Sequence, residues 1–242
     1  MKQIAAFFDI DGTIYREGLI TEVFKKMVNY DLIDGSQWYN EVRPAFLNWD
    51  KRVGDYDTYL EKMVDIYMEA TKDIHKDQIE YIAKRVIEQK GDRVYTFTRE
   101  QIKWHKEQGN KVIAVSGSPY ELVKEMSGKY QMDDCRGTIY KCGEDGKYNG
   151  EVIPMWDAVS KRKALLGLVE QYNIDLSQSY AYGDTAGDFT MLKMVGHPFA
   201  INPTKELLNK IKEDEELRKK VTIIVERKDV TYKLNIDQLD IL

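Results

Sequence analysis

The chain is expected to fold as an α/β protein: a Rossmann-like core with a parallel sheet, plus a separate helical domain. Three observations predict this. Short apolar runs alternate with helical patterns in the second half of the chain, the signature of a parallel sheet covered by helices. The stretch between the first two apolar runs reads as helix throughout. Of the 242 residues, 43% are hydrophobic and 32% charged, an ordinary globular balance that supplies a sizeable core.

The elements follow in order. Strand-like runs occupy residues 3–8, 111–115, 179–182, 198–201 and 221–225. Helical patterns occupy 99–108, 119–130, 158–172 and 188–194, with Gly109-Asn110 as a helix stop. Residues 138–151 carry Gly143-Glu144-Asp145-Gly146 between β-prone pieces and read as a surface hairpin. Helices are expected at 21–30, 36–49, 56–71 and 76–90, with Ser36 and Lys76 or Asp77 near starts and Gly35, Gly54 and Gly91 as punctuation. The expected division is a discontinuous core of residues 1–14 and 94–242, and a helical cap of residues 15–93 over the sheet's C-terminal edge. The cap is rich in aromatics: Tyr30, Trp38, Tyr39, Phe46, Trp49, Tyr56, Tyr59 and Tyr67. Most are expected to form its core, and a few to line a substrate pocket. An aromatic cage for a quaternary ammonium group is conceivable, but no residue singles one out.

A net charge of -5, with 36 basic residues scattered among 41 acidic ones, disfavours nucleic acid or an anionic membrane as partner. No apolar stretch approaches the roughly 20 residues of a membrane span. The chain enters its first strand without a leader pattern, so a cytoplasmic protein is expected. Cys135 and Cys142 fit a reducing compartment, and no Cys or His lies at zinc-site spacing. His75, His105 and His197 are read as structural or surface residues.

The chemistry lies at strand exits. Phe7-Phe8-Asp9-Ile10-Asp11-Gly12-Thr13 ends an apolar run in two carboxylates, where open α/β sheets bind ligands. Carboxylates beside a buried strand need a cation or hydrogen bonds, and a hard cation such as Mg²⁺ wants oxygen ligands. Gly12 lets the backbone turn and approach a ligand. An ordinary Asp-Gly turn is the plainer alternative. Val112-Ile113-Ala114-Val115 leads into Ser116-Gly117-Ser118-Pro119. There the Ser116 hydroxyl and the Gly117 and Ser118 N–H groups could meet an anion, or Ser116 could simply cap a helix with Pro119 first. Tyr180-Ala181-Tyr182 leads into Gly183-Asp184-Thr185-Ala186-Gly187-Asp188. Asp184 and Asp188 could be helix-start residues, or could join Asp9 and Asp11 around a cation. Either Lys161 or Lys163 could reach this cluster, and charge alone does not choose.

Asp9-x-Asp11-Gly12-Thr13, Ser116 after a hydrophobic strand, a lysine, and Gly183-Asp184-x-x-x-Asp188 resemble the four ordered motifs of the haloacid dehalogenase superfamily. The helical block between the first two motifs resembles that superfamily's C1 cap. The chain looks like subfamily IB, the phosphoserine-phosphatase-like group, whose tail is similar to residues 195–203. The resemblance implies a Mg²⁺-dependent phosphatase for a small phosphorylated metabolite. Asp9 is then the nucleophile and Asp11 the general acid and base. The metal falls to the Asp9 carboxylate, the Asp11 backbone carbonyl and Asp184, with Asp188 as a further ligand. Ser116, Gly117 and the lysine are then substrate-binding, and family spacing selects Lys161, 23 positions before Asp184. Gly187 departs from the family's usual Asn. The cap Glu and Arg that phosphoserine phosphatases use fall at Gly18 and Met63, with Glu17, Lys62 or Arg52 as the nearest substitutes. Phosphotransfer to an acceptor other than water, and a metal-binding regulatory module without turnover, are the alternatives.

Overall fold

The computed structural model describes residues 2–36, 38–51, 53–54 and 56–240. In chain order these form β1 (Ala5–Phe8), α1 (Leu19–Asn29), a π-type turn (Trp38–Val42) running into α2 (Arg43–Asp50), α3 (Tyr56–Thr71), α4 (Lys76–Lys90) and α5 (Thr96–Glu107). Then come β2 (Lys111–Pro119), α6 (Tyr120–Lys129), β3 (Asp134–Cys142), β4 (Tyr148–Ile153), α7 (Ala158–Tyr172), β5 (Tyr180–Gly183) and α8 (Phe189–Met194). The last are β6 (His197–Ile201), α9 (Lys205–Glu213), α10 (Glu215–Lys220), β7 (Thr222–Arg227) and β8 (Val230–Leu234).

Among the described residues one sheet of eight strands runs β4-β3-β2-β1-β5-β6-β7-β8. Its inner pairs are parallel, and β4 and β8 close the edges antiparallel. The pleat sorts side chains by a period of two. Ala6, Phe8, Val112 and Ala114 face one apolar cluster, and Ala5, Phe7, Ile113 and Val115 face the other. The first cluster takes in α5 and α6 and continues into α1, α3 and α4. The second is covered by α7 to α10. On the first face Phe8, Tyr182 and Phe199 stack across β1, β5 and β6, at 4.2 and 4.9 Å between ring centres. His105 is buried beside them, between Tyr182 and Asn110. Its neutral ring fits both partners, and burial lowers its pKa to about 4.

The chain leaves β1 for β2 on one side, while β5 returns on the other side of β1. That reversal opens a crevice at the carboxyl ends of β1, β2 and β5, the place where sheets of this kind bind ligands.

Several expected elements differ in detail. The helix expected at 119–130 starts at Tyr120, because Ser116, Gly117 and Ser118 stay extended as part of β2. A register shift after Val115 re-pairs Pro119 with Thr138, and the Thr138 hydroxyl donates to the Gly117 carbonyl at 2.7 Å. Ser116 is therefore not a helix cap. The helix expected at 36–49 is split, since Pro44 has no N–H to continue the ladder from the preceding turn. The helix α4 starts at Lys76, as expected, and its cap is the His75 ring, which accepts from the Asp77 N–H. The surface hairpin is longer than expected and is the edge of the main sheet. Residues 205–220 and 230–234 form elements that the apolar pattern did not suggest; Thr204 and Asp214 cap the two helices there.

Candidate active site

Asp9 follows β1, and its N–H donates to the Tyr182 carbonyl at 2.9 Å, which ties the strand exit to β5. Asp9 is 5% exposed. Asp184 leaves β5 beside it. Asp188 lies one turn later, where a capping box with Thr185 shapes the short 3₁₀ turn Ala186–Asp188. Its Oδ2 accepts from the Asp184 and Thr185 N–H groups, both at 3.1 Å. Thr185, not Asp184, is thus the helix-start residue.

Lys161 belongs to the first turn of α7. Asp157 caps that helix through the Val159 and Ser160 N–H groups at 2.9 Å, which turns Lys161 inward and leaves Lys163 exposed. The Lys161 Nζ donates to Asp9 Oδ1 at 2.7 Å and Asp188 Oδ1 at 2.5 Å. The choice left open by charge therefore falls on Lys161.

Asp9, Asp184 and Asp188 each offer an oxygen within 4.8 Å of the others. Three buried carboxylates thus face one ammonium. Burial raises Asp9 well above the ordinary carboxylate value; Lys161 opposes this, and Asp188 and Asp11 add to it. Burial raises Asp184 likewise, reinforced by Asp9 and Asp188. Burial also pulls on Lys161, but Asp188 and Asp9 outweigh it and hold the ammonium above its usual range. An all-oxygen set with excess negative charge is what a hard divalent cation requires.

The Asp11 carboxylate stands apart from this cluster. Its Oδ1 accepts from the Leu19 N–H at 2.7 Å, and its Oδ2 accepts from the Ser118 hydroxyl. Burial raises Asp11 above its ordinary value, while Ser118 and Leu19 pull it back. A carboxyl raised in this way holds a proton more readily than an ordinary one, which suits a group that gives and takes a proton. Ser116 is 1% exposed at the end of β2, and its Oγ accepts from the Ser118 N–H at 3.2 Å. That N–H is therefore engaged and does not open a helix. Gly117 lies on the same extended segment.

Two glycines are fixed by close approach. Gly12 sits at φ +81°, and a Cβ there would fall 1.9 Å from Asp184 Oδ2. Gly187 faces the Trp156 carbonyl, 2.4 Å from where its Cβ would be. The absence of a side chain at 187 thus goes with the position of the Trp156 backbone, which also packs on Gly117. The sequence assigns no role to Leu19, Asp157 or the side chain of Thr13, and to Ser118 only its N–H. Thr13 donates to Asp184 Oδ1 at 3.1 Å. The signals available were the Thr of the first motif, the two-residue spacing of Ser116 and Ser118, and Asp157 three residues before Ser160.

A cleft of about 910 Å³ opens above Gly12 and Asp184. Phe46, Trp49 and Tyr59 line one side, and Asn202 to Glu206 the other. Trp49 and Tyr59 stack at 5.9 Å, and Phe46 meets Tyr59 edge-on at 5.5 Å. These aromatics pack on one another and also face the cleft. Gly18 lines the cleft without a side chain, and Met63 is fully buried. Glu17 pairs with Arg93 at 2.7 Å, and Lys62 is exposed. Arg52 and the ring of Tyr56 lie outside the described residues.

Fold and site together define an α/β protein with a buried acidic centre at a sheet's switch point. Residues 6–193 match the model of the haloacid dehalogenase-like hydrolases, and the chain belongs to that family. A Streptomyces azureus protein named "Inhibition of morphological differentiation protein" is 28% identical over 86% of this chain and 74% of its own length. The phosphoserine phosphatase SerB1 of Mycobacterium tuberculosis is 28% identical over 48% of this chain. The match spans 38% of that relative's length. A solved structure described as a phospho-aspartyl intermediate analogue of phosphoserine phosphatase superposes with a TM-score of 0.61. That match is 22% identical and covers 95% of this chain and 96% of the other, a likeness of fold. Among the described residues no helix is long and apolar enough to cross a membrane.

Proposed function

We propose that the chain is a Mg²⁺-dependent phosphatase that hydrolyses a small phosphomonoester through an aspartyl-phosphate on Asp9. The observation that carries this is the Lys161 ammonium held between Asp9 and Asp188, with Asp184 in the same buried cluster. The names of the mycobacterial relative and of the superposed structure support the same reading.

Asp9, Asp184 and the Asp11 backbone carbonyl would hold the ion, with Asp188 as a further ligand. When bound it supplies positive charge that offsets the phosphoryl oxygens as charge redistributes. Lys161 anchors Asp9 Oδ1 and adds a second positive charge, while Ser116 and the Gly117 N–H bind phosphoryl oxygens. An Asp9 oxygen attacks phosphorus. The ester P–O bond breaks, its electron pair leaves on the ester oxygen, and Asp11 gives that oxygen a proton. The ionised Asp11 then takes a proton from water as the water oxygen attacks phosphorus. The P–O bond to Asp9 breaks, the pair returns to the carboxylate, and inorganic phosphate leaves.

The core is residues 1–14 and 94–242, and the cap is residues 15–93. The paired crossings between them support this division: Arg16 N–H to the Arg93 carbonyl at 3.1 Å, and Tyr95 N–H to the Ile14 carbonyl at 2.9 Å. The helical side of the cleft selects the substrate. By the family's spacing, the charged pair of a phosphoserine phosphatase falls at Gly18 and buried Met63, so a zwitterionic amino acid is disfavoured.

The test is phosphate release from a phosphomonoester panel, aryl phosphate included, with Mg²⁺ and with EDTA, beside Asp9→Asn. Mg²⁺-dependent release that disappears in the variant is expected. Full hydrolysis by Asp9→Asn sinks the reading, and transfer of phosphate to added alcohols in place of release indicates a transferase.

A further inference from the structure

Asp9 and Asp11 leave β1 two residues apart, and Ser116 and Ser118 leave β2 two residues apart. Phe8 is in register with Ala114 on the neighbouring strand. Both serines lie on the extended end of β2, where the ladder with β3 shifts register. The first serine is the phosphoryl-binding hydroxyl of the proposed function, and the second meets Asp11. The Ser118 hydroxyl, 6% exposed, donates to Asp11 Oδ2. The other oxygen, Oδ1, is held by the Leu19 N–H at the start of α1.

We infer that Ser118 is a positioning residue for the proton-transfer carboxylate, an inference that rests on the phosphatase reading above. A backbone N–H can only donate, so Leu19 fixes Oδ1 as an acceptor. The Ser118 hydroxyl donates to one lone pair of Oδ2, which leaves the other side of that oxygen to carry a proton toward the ester oxygen. Oδ2 is then the oxygen from which the proton passes to the ester oxygen. Ser118 is itself held. Its N–H bonds the Ser116 Oγ at 3.2 Å, and the preceding carbonyl, of Gly117, accepts from Thr138 at 2.7 Å. The carboxylate is thereby fixed between a core strand and the first helix of the cap. Deleting the hydroxyl frees one oxygen and lets the carboxyl rotate away from the leaving group.

The test compares two esters of similar size on one preparation. The nitrophenolate of p-nitrophenyl phosphate leaves with little help; the oxygen of phenyl phosphate needs a proton. The kcat/KM value reads the step that forms the aspartyl-phosphate. Ser118→Ala is expected to lower kcat/KM for phenyl phosphate about tenfold more than for p-nitrophenyl phosphate, part of what a general acid supplies. Ser118→Thr, which keeps the hydroxyl, is expected to restore the wild-type ratio. The ratio does not depend on the fraction of folded protein, and Ser118→Cys is read the same way should the alanine chain fail to fold. An equal loss on both esters, or no loss on either, overturns the role of Ser118 and leaves the phosphatase reading standing. Failure of the wild type on both esters and on every member of the panel above defeats the phosphatase reading instead.

Discussion

The crevice at the ends of β1, β2 and β5 and the cleft wall supplied by α1, α2 and α3 are built on different principles. In the crevice, polar side chains hold one another: Lys161 joins Asp9 and Asp188, Thr13 holds Asp184, and Ser118 holds Asp11. These groups sit at the exits of strands buried on both faces and at the helix starts beside them. The wall is made of rings that pack on one another and of exposed charges such as Asp50 and Lys25. The crevice has little freedom to change without losing its chemistry. The wall has many ways to change shape while the chemistry stays. On the proposed function, reaction type is set by the core and substrate choice by the helices.

The difference is sharpest when one charge is removed from the crevice. Lys161→Met leaves three buried carboxylates without their ammonium, and a destabilisation of about 3–5 kcal/mol is expected at neutral pH. The sign with pH follows from the raised Asp9 and Asp184. A raised carboxyl favours the fold while protonated and loses that contribution as pH rises through its folded-state value. The deficit should therefore shrink on acidification, and added Mg²⁺ should offset part of it at neutral pH. Urea unfolding at two pH values, with and without the ion, checks this. A deficit that ignores both would mean that the carboxylates do not repel.

A smaller and different effect is expected from the wall. Trp49→Ala removes a stacked ring, and KM for the preferred ester should rise about tenfold while kcat stays within about threefold. Steady-state kinetics on two or three panel members reads it. A collapse of kcat with unchanged KM would place the ring in the chemistry and erase the contrast between the two regions.

The same contrast governs what was legible in the chain. Asp9, Asp11, Asp184 and Asp188 each follow an apolar run, so their place at the sheet's edge could be read from local pattern. Lys161 could not be separated from Lys163 by charge, because the cap formed by Asp157 decides which lysine turns inward. Ser118 was credited with its N–H alone, because a helix was expected where β2 continues. That continuation depends on pairing with β3, a contact 19 residues away that no local pattern reveals. Gly187 departs from the family's usual Asn, and the Trp156 carbonyl occupies the space a side chain there would need. The wall was least legible, since rings that pack a helical bundle and rings that face a ligand have the same spacing.

The most direct test of an aspartyl-phosphate on Asp9 is to quench the enzyme with acid during turnover of its best ester and locate the phosphoryl group by peptide mass analysis. A single acid-stable, base-labile phosphoryl group on the peptide containing Asp9, absent from Asp9→Asn, is the predicted result. Rapid turnover with no phosphorylated peptide, or a phosphoryl group on another residue, would contradict it.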